Sequence, residues 1–442
     1  MKKLLIGLAA LLTLALLAFG VGSIRWHPSQ RAGPPRLEKV AIGAGPLLAG
    51  AAVVPLAPPP PVPVAGFARL HWMEEGRRDP VAVRALVLQE RGCTVALVSA
   101  EILLVPGALE RAVEREVRDL GLDHLVVAAT HTHAGPGGYW QDPLGERLAT
   151  GPYSEAVFDL LVERTVEAVR KAVAALAPAY LSVGRGEATQ LARNRSGSAE
   201  VDGRLVSARF VALTGKPVAE VVLYPSHATL LGLGNHLISG DWPGALMRSR
   251  PEPVLLFQGA LGDQSPRVPP GQRASPEVYA RALRTRITAL EYSAPDPWPE
   301  LAVATSTAVL PPPIPGATPP LLRRMAMNLF YAWVPARARI AAIRLGPLTL
   351  IAVPGEPVAA VGRSWREAAG KGSEVLALAG DYLGYVETRE RMAEVAGETA
   401  RTYYGAELAD RLVGAVKLSS AAARGVEPEE KPSAAEVVDQ TR

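Results

Sequence analysis

Along this chain, short dense apolar runs alternate with longer stretches whose apolar positions recur every three to four residues, as when strands and helices interleave. Thr94–Ser99 and His124–Ala129 read as buried strands, and further strands are predicted at Ser207–Leu213, Ala219–Tyr224, Val254–Gln258, Leu301–Leu310, Ala341–Leu345 and Leu348–Val353. Leu109, Ala112, Val113 and Val117 share one face of a helix predicted over Gly107–Leu120. A longer amphipathic helix is predicted over Ser154–Leu176, with others at Pro276–Leu290 and Glu356–Ala369. This pattern predicts an α/β fold, a single large catalytic domain with a mixed β-sheet and flanking helices, preceded by an N-terminal hydrophobic helix.

The predicted boundaries follow the same pattern. Lys2 and Lys3 precede an apolar run from Leu4 to Gly22, so residues 1–24 read as a signal anchor or a signal peptide. Either implies export, with the chain membrane-anchored or released as a periplasmic or secreted protein. Residues 25–46 are expected as a linker, 47–420 as the catalytic domain and 421–442 as a flexible tail. The six prolines between Pro55 and Pro63 require an extended segment.

Composition changes this picture little. With 48% apolar and 20% charged positions, the 442 residues are globular in character. A net charge of +4 over that length, without a concentrated basic stretch, points away from nucleic acid. The single cysteine, Cys93, rules out an internal disulfide and a cysteine-based zinc cluster, and its apolar surroundings suit a buried thiol.

Candidate chemistry lies where strands end. His131-Thr132-His133 follows the strand His124–Ala129 and precedes Ala134-Gly135-Pro136-Gly137-Gly138. In extended backbone two such imidazoles face one side and could reach a common centre, though a surface turn satisfied by local hydrogen bonds reads the same way. His227, in Ser226-His227-Ala228-Thr229, holds an equivalent position after another strand, where ligand sites of α/β sheets gather. Two such sources could build a zinc centre, which would also need a carboxylate. Glu356, after the strand Leu348–Val353, is a candidate, and an acidic residue favouring a helix dipole is the alternative. His236 reads as structural. Ser265 lies in Gly262-Asp263-Gln264-Ser265-Pro266, which is no nucleophile elbow. Arg195, in Asn194-Arg195-Ser196, could hold an anionic or developing oxyanion charge.

Taken in order, Thr130–Tyr139, Asn194-Arg195-Ser196, His227-Ala228-Thr229, Asn235–Asp241, Gly262–Pro266, Val353-Pro354-Gly355-Glu356 and Gly384-Tyr385-Val386 resemble the neutral/alkaline non-lysosomal ceramidase family, specifically its N-terminal catalytic domain. The resemblance implies a zinc-dependent hydrolase that cleaves the amide of an N-acylated sphingoid base. It implies zinc ligands at His131, His227, Glu356 and Tyr385, a proton-shuttling His133, an oxyanion-binding Arg195 and a Ser265 that is either nucleophile or water-positioning hydroxyl. It also implies a lipid-amide substrate presented at a membrane surface. Another amide or ester substrate, or a non-catalytic envelope binding protein on the same scaffold, is the alternative. Three features depart from the family pattern. The 57 residues after Tyr385 fall short of the family's C-terminal immunoglobulin-like domain of about 100. Gly397 stands where the family has a tyrosine, and Leu321–Ala336 reads as an insertion, either a lipid-facing amphipathic lid or packed core. Oligomeric state is not legible.

Overall fold

The computed structural model describes residues 33–68, 72–316, 318–331 and 334–426. The expected leader, 1–24, lies outside them. Two large sheets are built from β1 (Arg36–Ile42), β2 (Ala44–Leu56), β3 (Val81–Arg91), β4 (Cys93–Ala100), β5 (His124–Ala129), β6 (Ala177–Glu187), β7 (Arg204–Ala212), β8 (Pro217–Leu223), β9 (Val254–Phe257), β10 (Leu301–Val309), β11 (Arg337–Leu345), β12 (Leu348–Ala352) and β13 (Ser373–Leu376). The eight-stranded sheet runs β9-β8-β7-β6-β2-β3-β4-β5, and the five-stranded sheet runs β1-β10-β11-β12-β13. Both are mixed. The pairs β4–β5, β8–β9 and β12–β13 are parallel, and the other neighbours are antiparallel.

The sheets pack face to face, with Leu86, Leu97, Val126 and Phe210 of the larger sharing one buried cluster with Val303, Ile343, Leu350 and Leu376 of the smaller. Helices are α1 (Gly107–Glu116), α2 (Glu155–Ala174), α3 (Asp241–Met247), α4 (Pro276–Thr288), α5 (Arg323–Tyr331), α6 (Ala359–Ala369) and α7 (Leu408–Ala423). α2 covers the outer face of β2 and β3, and α7 covers β10 and β11. The layers therefore run helix, sheet, sheet, helix. Covered on both faces, β4 is buried at every position, which is why Cys93–Ala100 reads as a largely apolar run without alternation. The Cys93 thiol is buried as expected, and burial pushes it up to about 12. The larger sheet curls until its distant members touch, the Ser99 Oγ of β4 donating to the Leu256 carbonyl of β9 at 2.7 Å.

Several expectations need correction. Residues 36–42, placed in a linker, form β1 and pair with β10 through Arg36↔Thr307 to Ile42↔Ala302. The tail begins later than expected, because 421–423 close α7. β2, β3, β6 and β13 were not predicted; the sequences of β2 and β6, rich in Ala, Gly and Pro, carry little intrinsic strand preference. At Gly50 in β2 a Cβ would stand 2.2 Å from the Ala172 carbonyl, so glycine there admits the end of α2. The helix predicted from Glu356 starts instead at Ala359. Pro357 disfavours helical backbone at the residue before it, and Glu356–Pro357 pairs in parallel with Tyr385–Val386. In the Leu321–Ala336 segment, Leu321 is 75% exposed and Leu322 42%, so the entry to α5 is not packed core. Among the described residues no helix is long and apolar enough to cross a membrane.

Candidate metal centre

The carboxyl ends of β5, β8, β9, β12 and β13 lead into one region, as is usual for ligand sites on parallel strands. β5 delivers His131, which takes a left-handed backbone at φ 64°, a costly conformation for a residue with a Cβ. β8 delivers His227. The extended segment after β12 carries Glu356, and the turn after β13 returns Tyr385 beside it.

Both histidines are buried and oriented by backbone. The His131 Nδ1 donates to the Leu103 carbonyl at 2.7 Å. The His227 Nδ1 lies 3.0 Å from the Leu261 carbonyl and 2.9 Å from the Gln264 carbonyl. With Nδ1 donating in these bonds, Nε2 of each ring faces inward. Both nitrogens meet a carboxylate oxygen. Glu356 Oε2 is 3.3 Å from His131 Nε2 and 3.2 Å from His227 Nε2, and it has no hydrogen-bond partner. Its other oxygen, Oε1, accepts from the Tyr382 hydroxyl at 2.7 Å. The Tyr385 hydroxyl lies 3.0 Å from His227 Nε2. Tetrahedral ligands about 2.0–2.1 Å from a zinc ion stand roughly 3.3–3.4 Å apart. The spacings fit that figure, and the inward-facing acceptors with an orphaned carboxylate oxygen fit a divalent cation.

His133 completes the cluster. Its Nε2 is 3.2 Å from that of His131, and the potential ligand atoms of His131, His133 and His227 all lie within 4.8 Å of one another. Gly66, at φ 122°, makes room for it, since a Cβ there would come within 2.6 Å of the His133 Cα. Removal from water, aided by the neighbouring imidazoles, holds His133 well below the usual histidine range. Burial, then the Arg195 guanidinium, lowers His227 to about 3. Burial, then the Glu356 charge, pushes the Tyr385 phenol upward.

Arg195 approaches from the opposite wall. Its Nη2 donates to the Tyr385 hydroxyl and to the Gly262 carbonyl, each at 2.9 Å, while its Nε donates to Glu398 Oε1 at 2.9 Å. The predicted site residues His131, His133, His227, Glu356, Tyr385 and Arg195 are thus brought together. Ser265 is buried on the strand Gln264–Pro266, paired with Ala192–Asn194, and does not line the cavity. His236 is also off the cavity, its carbonyl accepting from the Glu75 amide. A cavity of about 560 Å³ opens onto the centre, with His131, His133, Glu356, Tyr385 and Arg195 in its lining. Phe67, Leu103, Leu104, Leu148, Tyr382 and Tyr403 supply apolar wall. Tyr382, Tyr403 and Glu398 were not singled out from the sequence. Only the nearness of the first to Tyr385 and of the other two to Gly397 hinted at them.

Comparison with known proteins bears on this arrangement. Residues 57–248 match the family described as neutral/alkaline non-lysosomal ceramidase, N-terminal. The neutral ceramidase of Mycobacterium tuberculosis is 30% identical over 241 residues, which are 46% of this chain and 37% of that protein. The neutral ceramidase of Pseudomonas aeruginosa is 31% identical over 134 residues, 28% of this chain and 20% of that protein. The matches thus span well under half of the length of these relatives. The crystal structure of the Pseudomonas aeruginosa neutral ceramidase superposes with a TM-score of 0.73, covering 87% of this chain and 76% of that one at 20% identity, a likeness of fold.

Proposed function

From kinship with the neutral/alkaline non-lysosomal ceramidases over residues 57–248, we propose that this chain is a zinc-dependent hydrolase cleaving the amide of ceramide or a similar N-acyl lipid into a fatty acid and an amine. The observation that carries the reading is the inward convergence of His131 Nε2, His227 Nε2 and the orphaned Glu356 Oε2 beside an apolar cavity. His131, His227, Glu356 and Tyr385 would hold the ion. When bound, zinc supplies Lewis acidity and activates water at neutral pH.

The chain's own groups do the rest. The Leu103, Leu261 and Gln264 carbonyls fix the tautomers of His131 and His227, and the Tyr382 hydroxyl leaves only Oε2 of Glu356 facing the imidazoles. Arg195, held by Glu398 and lining the cavity, meets the negative charge that develops on the amide oxygen. His133, exposed to the cavity, takes a proton from the attacking water and hands it to the departing amine, which leaves poorly as an anion. The apolar wall receives hydrocarbon and excludes water. The apolar run Leu4–Gly22 after Lys2 and Lys3 supports export, and a lipid surface is the source of substrate. Release of fatty acid from ceramide, abolished by a chelator and restored by zinc, is the expected result. Turnover indifferent to the chelator would refute it.

A further inference from the structure

We infer that Gln258 is the positioning residue that sets the separation of His131 and His227, and that the 258–264 loop after β9 is the template on which the centre assembles. This rests on the reading of those histidines as ligands of one divalent cation.

The two histidines follow strands that do not pair. β5 is one edge of the larger sheet, and β8 lies next to the other edge. Gln258, fully buried at the end of β9, joins the segments they feed. Its Nε2 donates to the Thr130 carbonyl at 2.9 Å, and its Oε1 accepts from the Ser226 amide at 3.0 Å. Thr130 and Ser226 are the residues immediately before His131 and His227. Just beyond the histidines, the His133 amide donates to the Ala228 carbonyl at 3.1 Å. Each imidazole therefore stands between two cross-links.

The bridge needs one donor and one acceptor on a single arm. A primary amide supplies both, a carboxylate would set an acceptor against the Thr130 carbonyl, and a thioether supplies neither good group. Away from water, neither bond can be replaced by solvent.

The following residues extend the same service. The Leu261 and Gln264 carbonyls orient the His227 ring, and the Gly262 and Asp263 carbonyls accept from the Arg195 side chain and amide. The Gly262 amide donates to the Pro357 carbonyl at 2.8 Å, and the Asp263 carboxylate accepts from the Ala359 amide at 2.9 Å, fixing the segment that carries Glu356.

The test is zinc affinity, measured by competition with a chromophoric chelator, together with the visible spectrum of the cobalt-loaded protein. Gln258→Met is expected to weaken zinc binding about 10–100-fold, the usual effect of losing an outer-shell partner, and to shift the cobalt spectrum. Gln258→Asn keeps both amide groups on a shorter arm and should fall between it and wild type. Ser99→Ala removes the neighbouring buried bond to Leu256 and should leave both readouts unchanged. Wild-type affinity and spectrum in Gln258→Met would overturn the inference, as would an equal loss in Ser99→Ala. If Gln258→Met does not fold, wild-type values in Gln258→Asn overturn it instead. A wild-type protein that takes up no zinc would refute the metal reading itself, and this inference with it.

Discussion

Two buried carboxylates, Glu110 on α1 beside Val127 of β5 and Glu356 at the centre, behave differently. Glu110 is satisfied on both oxygens. Oε2 accepts from the Val127 amide at 2.9 Å and Oε1 from Arg339 at 2.6 Å, so it ties α1 to β5 and β11. Glu356 leaves one oxygen unpartnered among imidazoles. The histidines follow suit. His124, at the start of β5, is buried and lowered to about 3, chiefly by burial and then by Arg339 and Lys39, yet among the described residues it is in no cluster of potential metal ligands. His227 is lowered to about the same value and stands in one. Burial and a perturbed pKa thus mark both regions alike. Imidazoles converging on an unpartnered carboxylate oxygen mark the site.

Breaking the functional region gives the largest expected effect. His227→Ala should lose zinc by more than the roughly 10–100-fold that an outer-shell change costs, as read by elemental analysis after dialysis. Retention of a full equivalent would remove His227 from the ligand set. Next, Arg195→Ala should keep its zinc while kcat for ceramide falls about 10²–10³-fold, the usual cost of one oxyanion donor. An unchanged kcat would free Arg195 of that role.

Glu110→Ala attacks the structural region. It leaves the buried Val127 amide unsatisfied and should lower stability by about 2 kcal/mol in urea titrations, with zinc content unaltered. Loss of zinc there would erase the contrast between the two carboxylates. The smallest effect is a pH slope. Burial raises Glu110 to about 7, above its unfolded value of about 4.3, so the folded state holds its proton more tightly. That contribution to stability is complete below about pH 4 and declines as pH rises through 7. Glu110→Gln should flatten the slope, and an unaltered profile would assign it to other groups.

The sequence made the strand ends legible, and with them His131, His133 and His227, because dense apolar runs stop abruptly at polar residues. Glu356 was visible as a carboxylate after a strand, but its pairing with Tyr385 was not. That contact spans 29 residues and depends on how the turn after β13 folds back. Nothing local marks Tyr385 as a ligand, and only the family resemblance pointed to it. Gln258 read as the last residue of a strand. Its partners, Thr130 and Ser226, lie 128 and 32 residues away, so its role exists only in the folded chain. β2 and β6 escaped notice because glycine and proline weaken the strand signal where helices and turns must approach closely.

The most direct measurement is X-ray absorption at the zinc edge of the purified, zinc-equilibrated protein, with metal content determined on the same sample. One zinc per chain is expected, its inner shell holding imidazole nitrogens together with oxygen donors. A protein that takes up no zinc, or a zinc whose inner shell contains no imidazole, would contradict a metal centre built by His131, His227 and Glu356.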